Sequence, residues 1–242
     1  MHDNSLVVSK TEAFVKDYMS KYDCSHDWHH VQRVVRQALA LATAESQTKL
    51  VDMLVVHLAA LLHDVDDAKY AQAGEERFDC KGFLVGAGVD QERAELVCRI
   101  ADSVSFRKEL LFIEQAKQGL GDNEEEEWRR NCVELACVQD ADRLDAIGAF
   151  GVIRCAAFSG ARNRPLHCPS DGAPCGKTTY EQYTAEGKDA RGSMVSHFYE
   201  KLLSLADMMK TDTGRMEAQR RHNFMLMFLQ NIDKELAFGA HH

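Results

Sequence analysis

The chain has 242 residues, of which 45% are apolar and 28% charged, and a formal net charge of -9. An apolar share of this size supports one large core, and no run approaches the roughly 20 apolar residues that a membrane helix needs. The acidic balance argues against a surface that holds long nucleic acid through its phosphates, because that mode requires clustered Lys and Arg.

Helical periodicity governs almost the whole sequence. The start, residues 1–10, lacks a basic region followed by an apolar run, so a cytoplasmic protein without a membrane partner is expected. Val31, Val34, Val35, Ala38 and Ala42 line one face of a helix over about 27–47, and Val51, Leu54, Val55, Leu58 and Leu62 repeat the pattern in the next. Further helices are expected over 75–85, 91–103, 128–139 and 141–158, with Gly86, Gly88 and Gly121 at the joints. Glu124 to Glu127 are placed where negative charge complements the start of a helix.

The character changes over 159–193, where all three prolines fall among several glycines without an apolar period. A loop this long usually covers a site or is disordered, which makes it a candidate lid. Beyond it, Val195, Phe198, Leu202, Leu205 and Met209, then Met225, Phe228, Leu229, Ile232 and Leu236, stripe the C-terminal helices over 194–236 as core positions. With neither a repeat nor a linker, the chain reads as a single all-α domain over 1–242, with a chemistry-bearing core over about 20–160.

Eight cysteines are spread through the expected helices, among them Cys98, Cys132, Cys137 and Cys155. Without a secretion signal they read as free thiols. No Cys-x-x-Cys pair occurs, and His167, Cys168 and Cys175 form only a loose trio, so a zinc ribbon is not expected.

Three stretches concentrate imidazoles and carboxylates at the ends or edges of apolar helices: His26-Asp27-Trp28-His29-His30, His63-Asp64-Val65-Asp66-Asp67 and Asp140-Ala141-Asp142-Arg143-Leu144-Asp145. A single helix histidine such as His30 is usually structural. His63-Asp64 differs, because an adjacent imidazole and carboxylate closing a strongly apolar helix are costly to bury without a partner, and a cation satisfies both. Asp140, Asp142 and Asp145 repel one another unless positive charge intervenes, with salt bridges to Arg143 or other bases as the competing account.

The ordered pattern His30-x-x-Arg33-Val34, His63-Asp64 and Ala141-Asp142-Arg143-Leu144 resembles the H, HD, D signature of the HD-domain metal-dependent phosphohydrolases. Ser25-His26-Asp27-Trp28, the segment from Gln139 to Gly148, and His197-Phe198-Tyr199-Glu200-Lys201-Leu202 are similar to one subgroup, bacterial enzymes that release pyrophosphate from deoxynucleoside triphosphates. This likeness extends over about 11–235.

The resemblance implies an HD-domain helical fold in which His30, His63, Asp64 and Asp142 hold one divalent ion, with Asp140 a competitor for the last place. Manganese is the first choice by resemblance; nickel, cobalt, iron, zinc and magnesium stay open, since mixed nitrogen and oxygen ligation does not select among most of them. It further implies that Asp67, or Asp66 beside it, positions or deprotonates water, and that His26 and Asp27 support the first ligand or touch substrate. Arg33, Lys69 and Lys201 are the candidate phosphate donors. The expected partner is a small nucleotide, cleaved between its α and β phosphates; a deoxynucleoside monophosphate phosphomonoesterase and an inactive nucleotide- or metal-binding module are the alternatives. A homodimer is compatible with this reading.

Overall fold

The computed structural model describes residues 4–65, 78–169, 171 and 192–238. Among them are eleven α-helices, one 3-10 segment and no β-strand, the all-α architecture expected from the periodicity. The chain divides into two compact units, the first comprising Met1–Tyr22 and His26–Asp142, the second Asp23–Ser25 and Arg143–His242.

In the first unit α1 (Asn4–Met19), α2 (Trp28–Glu45), α3 (Met53–Leu62), α4 (Cys80–Ala87), α5 (Gln91–Ser103), α6 (Phe106–Lys117) and α7 (Asn123–Asn131) precede α8 (Val133–Asp145). Helix α3 is the centre of this unit and packs against α1, α2 and α5. Its ten residues are apolar on nearly every face, and Val55, Val56, Leu58, Ala59, Ala60, Leu61 and Leu62 are all buried. A helix without a polar side has to be enclosed, and each buried Val or Leu contributes about 1.5–3 kcal/mol relative to exposure. By contrast α2 turns one stripe inward, with Val31, Val34, Ala38 and Ala42 buried.

Aspartates start five of these helices. Asp27, Asp52, Asp79, Asp90 and Asp122 each accept hydrogen bonds from backbone N–H groups of the following turn, satisfying donors that the helix itself leaves open. Asp52 accepts from Leu54 and Val55, so α3 starts at Met53 and leaves Val51 outside. The expected helix over 75–85 has its described start at Cys80, capped by Asp79.

Two expected helices are each divided. The one over 128–139 breaks at Cys132, whose backbone is extended and whose thiol accepts from the N–H of Leu135, a start signal that apolar spacing does not carry. The one over 141–158 breaks after Asp145, and α9 (Gly148–Ala161) begins at a glycine with φ of +76°. A side chain there would be strained and would meet the Arg221 stem at 2.9 Å, whereas glycine turns the chain freely.

The free-thiol expectation also needs correction. Cys80 and Cys98 form a disulfide across α4 and α5, with Cα atoms 6.0 Å apart. These helices pack together and bring the first residue of α4 opposite Cys98, a proximity that spacing along the chain does not reveal. Cys24, Cys132, Cys137, Cys155 and Cys168 are free.

In the second unit α9 packs on α10 (Met194–Glu200) and α11 (Asp212–Ala237). The 3-10 segment Leu202–Met208 replaces the regular helix that Leu202 and Leu205 suggested, although both side chains are buried as expected. Along α11, Met225 and Leu229 are buried, but Leu236 is exposed and leaves the stripe. Of the proline-bearing loop, residues 162–169, 171, 192 and 193 are described. Pro165 and Leu166 accept from the N–H groups of Met194 and Val195, which ties the start of that loop to its end. No single helix among the described residues is long and apolar enough to cross a membrane.

Candidate metal centre

Three helices of the first unit bring the imidazoles and carboxylates together. Asp27 caps α2 by accepting from the N–H of His30 at 2.9 Å, so the residue beside the expected ligand holds that ligand's own backbone. His30 then projects inward and is fully buried. His63 caps the C-terminal end of α3, and Asp64 follows in a turn closed by the Val65 N–H on the Leu62 carbonyl at 3.0 Å. Asp142 comes from the last turn of α8.

The side chains converge closely. His30 Nε2 and His63 Nε2 are 3.3 Å apart. Asp64 Oδ2 lies 3.1 Å from the first and 3.4 Å from the second. Asp142 Oδ1 lies 3.7 and 3.8 Å from the same two nitrogens. Donor atoms about 2.0–2.2 Å from one ion stand roughly 3–3.6 Å from each other, so the three shorter spacings fit a shared centre and the two from Asp142 lie just beyond it.

The protonation logic points the same way. His63 Nδ1 faces the Ala60 carbonyl oxygen at 2.8 Å and must be the donor there, which turns Nε2 toward the cluster. Two imidazole nitrogens at 3.3 Å need a proton or a cation between them. Burial works against charge on His63, but Asp64 and Asp142 outweigh it and raise its pKa to about 9. Asp64 is likewise opposed by burial, yet His63 and His30 hold its carboxyl well below the usual range. Two carboxylates thus create a pocket of negative potential that a proton or a metal ion can fill. His30, His63 and Asp142 can hold a metal between them, and Asp64 lies beside both histidines.

The other expected residues are less concentrated. The His26 ring lies 5.9 Å from that of His30, nearly perpendicular to it, and Arg33 is half-buried one turn along α2. Asp66, Asp67 and Lys69 lie outside the described residues. Lys201 belongs to the second unit, where it caps α10 and its carbonyl accepts from the Ser204 hydroxyl. Of the three aspartates near the end of α8, Asp142 turns to the histidines. Asp145 pairs with Arg154 at 3.0 Å and Asp140 is fully buried. Arg143, offered as their neutraliser, donates to the Met208 carbonyl at 2.6 Å. Arg154 was missed because it lies in the next helix, with nothing in its surrounding residues to mark it.

An all-α fold that gathers one histidine, a histidine-aspartate pair and a later aspartate around one point defines the HD domain. Residues 27–147 match that family, and the chain belongs to it. Among its relatives, YpgQ of Bacillus subtilis is 34% identical over 92% of this chain and 90% of its own length. The crystal structure of YpgQ in complex with ADP superposes with a TM-score of 0.67 at 30% identity, covering 94% of this chain and 97% of that one. A Lactobacillus plantarum structure reaches a TM-score of 0.73 at 30% identity, over 95% and 96% of the two chains. An HD-superfamily hydrolase of Bacillus thuringiensis reaches 0.66 at 29%, over 97% and 99%.

Proposed function

We propose that this protein is a metal-dependent phosphohydrolase acting on small nucleotides, and specifically that it cleaves (deoxy)nucleoside triphosphates between the α and β phosphates. The convergence of His30, His63, Asp64 and Asp142 on one point carries the reading. The hydrolase relative supports hydrolysis, and the ADP held by YpgQ supports a nucleotide ligand.

The four side chains would hold one divalent ion, manganese by first choice. When bound, such an ion would polarise a phosphoryl oxygen and lower the pKa of its bound water toward neutrality. Asp67, with Asp66 as its neighbour, takes the proton from the attacking water. The water oxygen bonds to the α phosphorus as the bond to the bridging oxygen breaks, leaving a monophosphate and pyrophosphate. Arg33, Lys69 and Lys201 contribute charge-assisted hydrogen bonds to phosphate oxygens. Asp27 keeps His30 in register through its backbone, and His26 supports it from the side. A net charge of -9 fits this division of labour, since local cations rather than a basic surface meet the substrate. The protein acts in the cytoplasm, without long nucleic acid or membrane as a partner.

The deciding experiment incubates manganese-loaded protein with a nucleotide panel and resolves pyrophosphate from orthophosphate. Pyrophosphate from triphosphates supports the proposal. Orthophosphate from deoxynucleoside monophosphates replaces it with a phosphomonoesterase, and no product with any divalent ion leaves a binding module.

A further inference from the structure

The Cys80–Cys98 bond borders the turn that carries two of the four metal-binding side chains. Both cysteines line a cavity of about 240 Å³ together with Leu62, Val65, Phe78 and Ala101. Leu62 immediately precedes His63, Val65 immediately follows Asp64, and the Val65 N–H on the Leu62 carbonyl closes the turn around both. The disulfide and the two residues that flank His63 and Asp64 therefore line the same half-open cavity.

We propose that Cys80 and Cys98 are a thiol–disulfide switch that sets how firmly the His63–Asp64 turn holds its ion. The proposal rests on the metal-centre reading. Oxidised, the bond pins the first residue of α4 to α5, which in turn packs on α3. In reduction a dithiol supplies two electrons and two protons. The S–S bond breaks, Cys80 and Cys98 become thiols, and the dithiol closes to its own disulfide. Two unbonded sulfurs need van der Waals separation, so this wall of the cavity widens. Empty space beside Leu62 and Val65 lets the turn follow, where a close-packed interior would hold it.

One observation, together with the proposed cytoplasmic setting, favours a switch over a permanent staple. Both sulfur-bearing residues are half-buried, within reach of a reductant. In the reducing compartment proposed for this protein, disulfides are usually transient and redox-sensing.

The test uses the full-length chain, oxidised with glutathione disulfide or reduced with dithiothreitol and desalted anaerobically, with manganese as the probe. Thiol titration after denaturation should find two fewer thiols in the oxidised form. Calorimetric titration should show manganese bound at least threefold more tightly by that form, reversibly. Cys80→Ser and Cys98→Ser should both match the reduced protein and ignore the dithiol. An unchanged thiol count overturns the switch, as does equal manganese affinity, even when reduction lowers Tm by several degrees, because that result describes a staple alone. If neither form binds manganese, the metal-centre reading fails and the switch fails with it, an outcome distinct from equal binding.

Discussion

His63 Nδ1 donates to the carbonyl oxygen of Ala60 at 2.8 Å, across the last turn of α3. The bond does two things at once. It satisfies a carbonyl that the helix end leaves without an intrahelical partner, and it commits the other ring nitrogen to the cluster formed with His30, Asp64 and Asp142. An imidazole held this way needs little reorganisation to accept an ion.

Removing either half of the pair should empty the centre. His63→Ala and Asp64→Ala are expected to weaken manganese binding at least about 100-fold and to abolish turnover, because each leaves three ligands with incomplete geometry and the second also removes a negative charge. Elemental analysis after gel filtration, paired with product assays, reads both effects. Wild-type metal content in both variants places the centre elsewhere.

Asp67→Ala separates chemistry from binding. Loss of a group that takes a proton in the transition state slows reactions by about 10²–10⁴-fold, so this variant should keep its manganese while kcat falls by that order. If Asp66→Ala shows the larger drop, the role belongs to the neighbouring carboxylate.

The pH dependence follows from His63, whose folded pKa of about 9 lies above its ordinary 6.5. In metal-free protein the stabilisation from its proton is complete below about pH 6.5 and is lost as pH rises through 9. Asp64 behaves oppositely: its depressed pKa stabilises above about pH 4, and that contribution fades as pH falls further. With a chelator present, Tm should therefore peak between about pH 4 and 6.5 and decline toward 9. Manganese must displace the His63 proton, so its apparent affinity should climb over the same rise in pH, with proton release seen by calorimetry in buffers of different ionisation enthalpy.

Asp27→Ala tests the cap. Such substitutions cost about 1 kcal/mol, or roughly 2–4 °C in Tm for a chain of this size. Because the lost bond is to the N–H of His30, manganese affinity should drop with it, and Asp27→Asn should restore both. A thermal shift with unaltered affinity would mean that His30 is positioned by its packing alone.

Much of the centre was legible because helices impose short-range order. The apolar run of α3 had to end somewhere, and two polar groups at its end, His63 and Asp64, could not be buried for free. The same pattern language gave the all-α class, and the breaks at Cys132 and Gly148 escaped it. A thiol that caps a helix and a glycine in the left-handed region leave no mark on apolar spacing. Choosing Asp142 over Asp140 and Asp145 depended on likeness to a family, and the structure adds what became of the others: Asp145 meets Arg154, and Asp140 is enclosed.

By itself, the order of residues determined that the chain is helical, which faces of several helices are buried and which side chains could not be left without partners, because these depend on neighbours three or four positions away. Only the tertiary structure decided that His30 and His63 face each other at 3.3 Å and that Cys80 is bonded to Cys98. Those facts depend on how separate helices pack, and packing is settled by the complementarity of whole surfaces rather than by any local pattern.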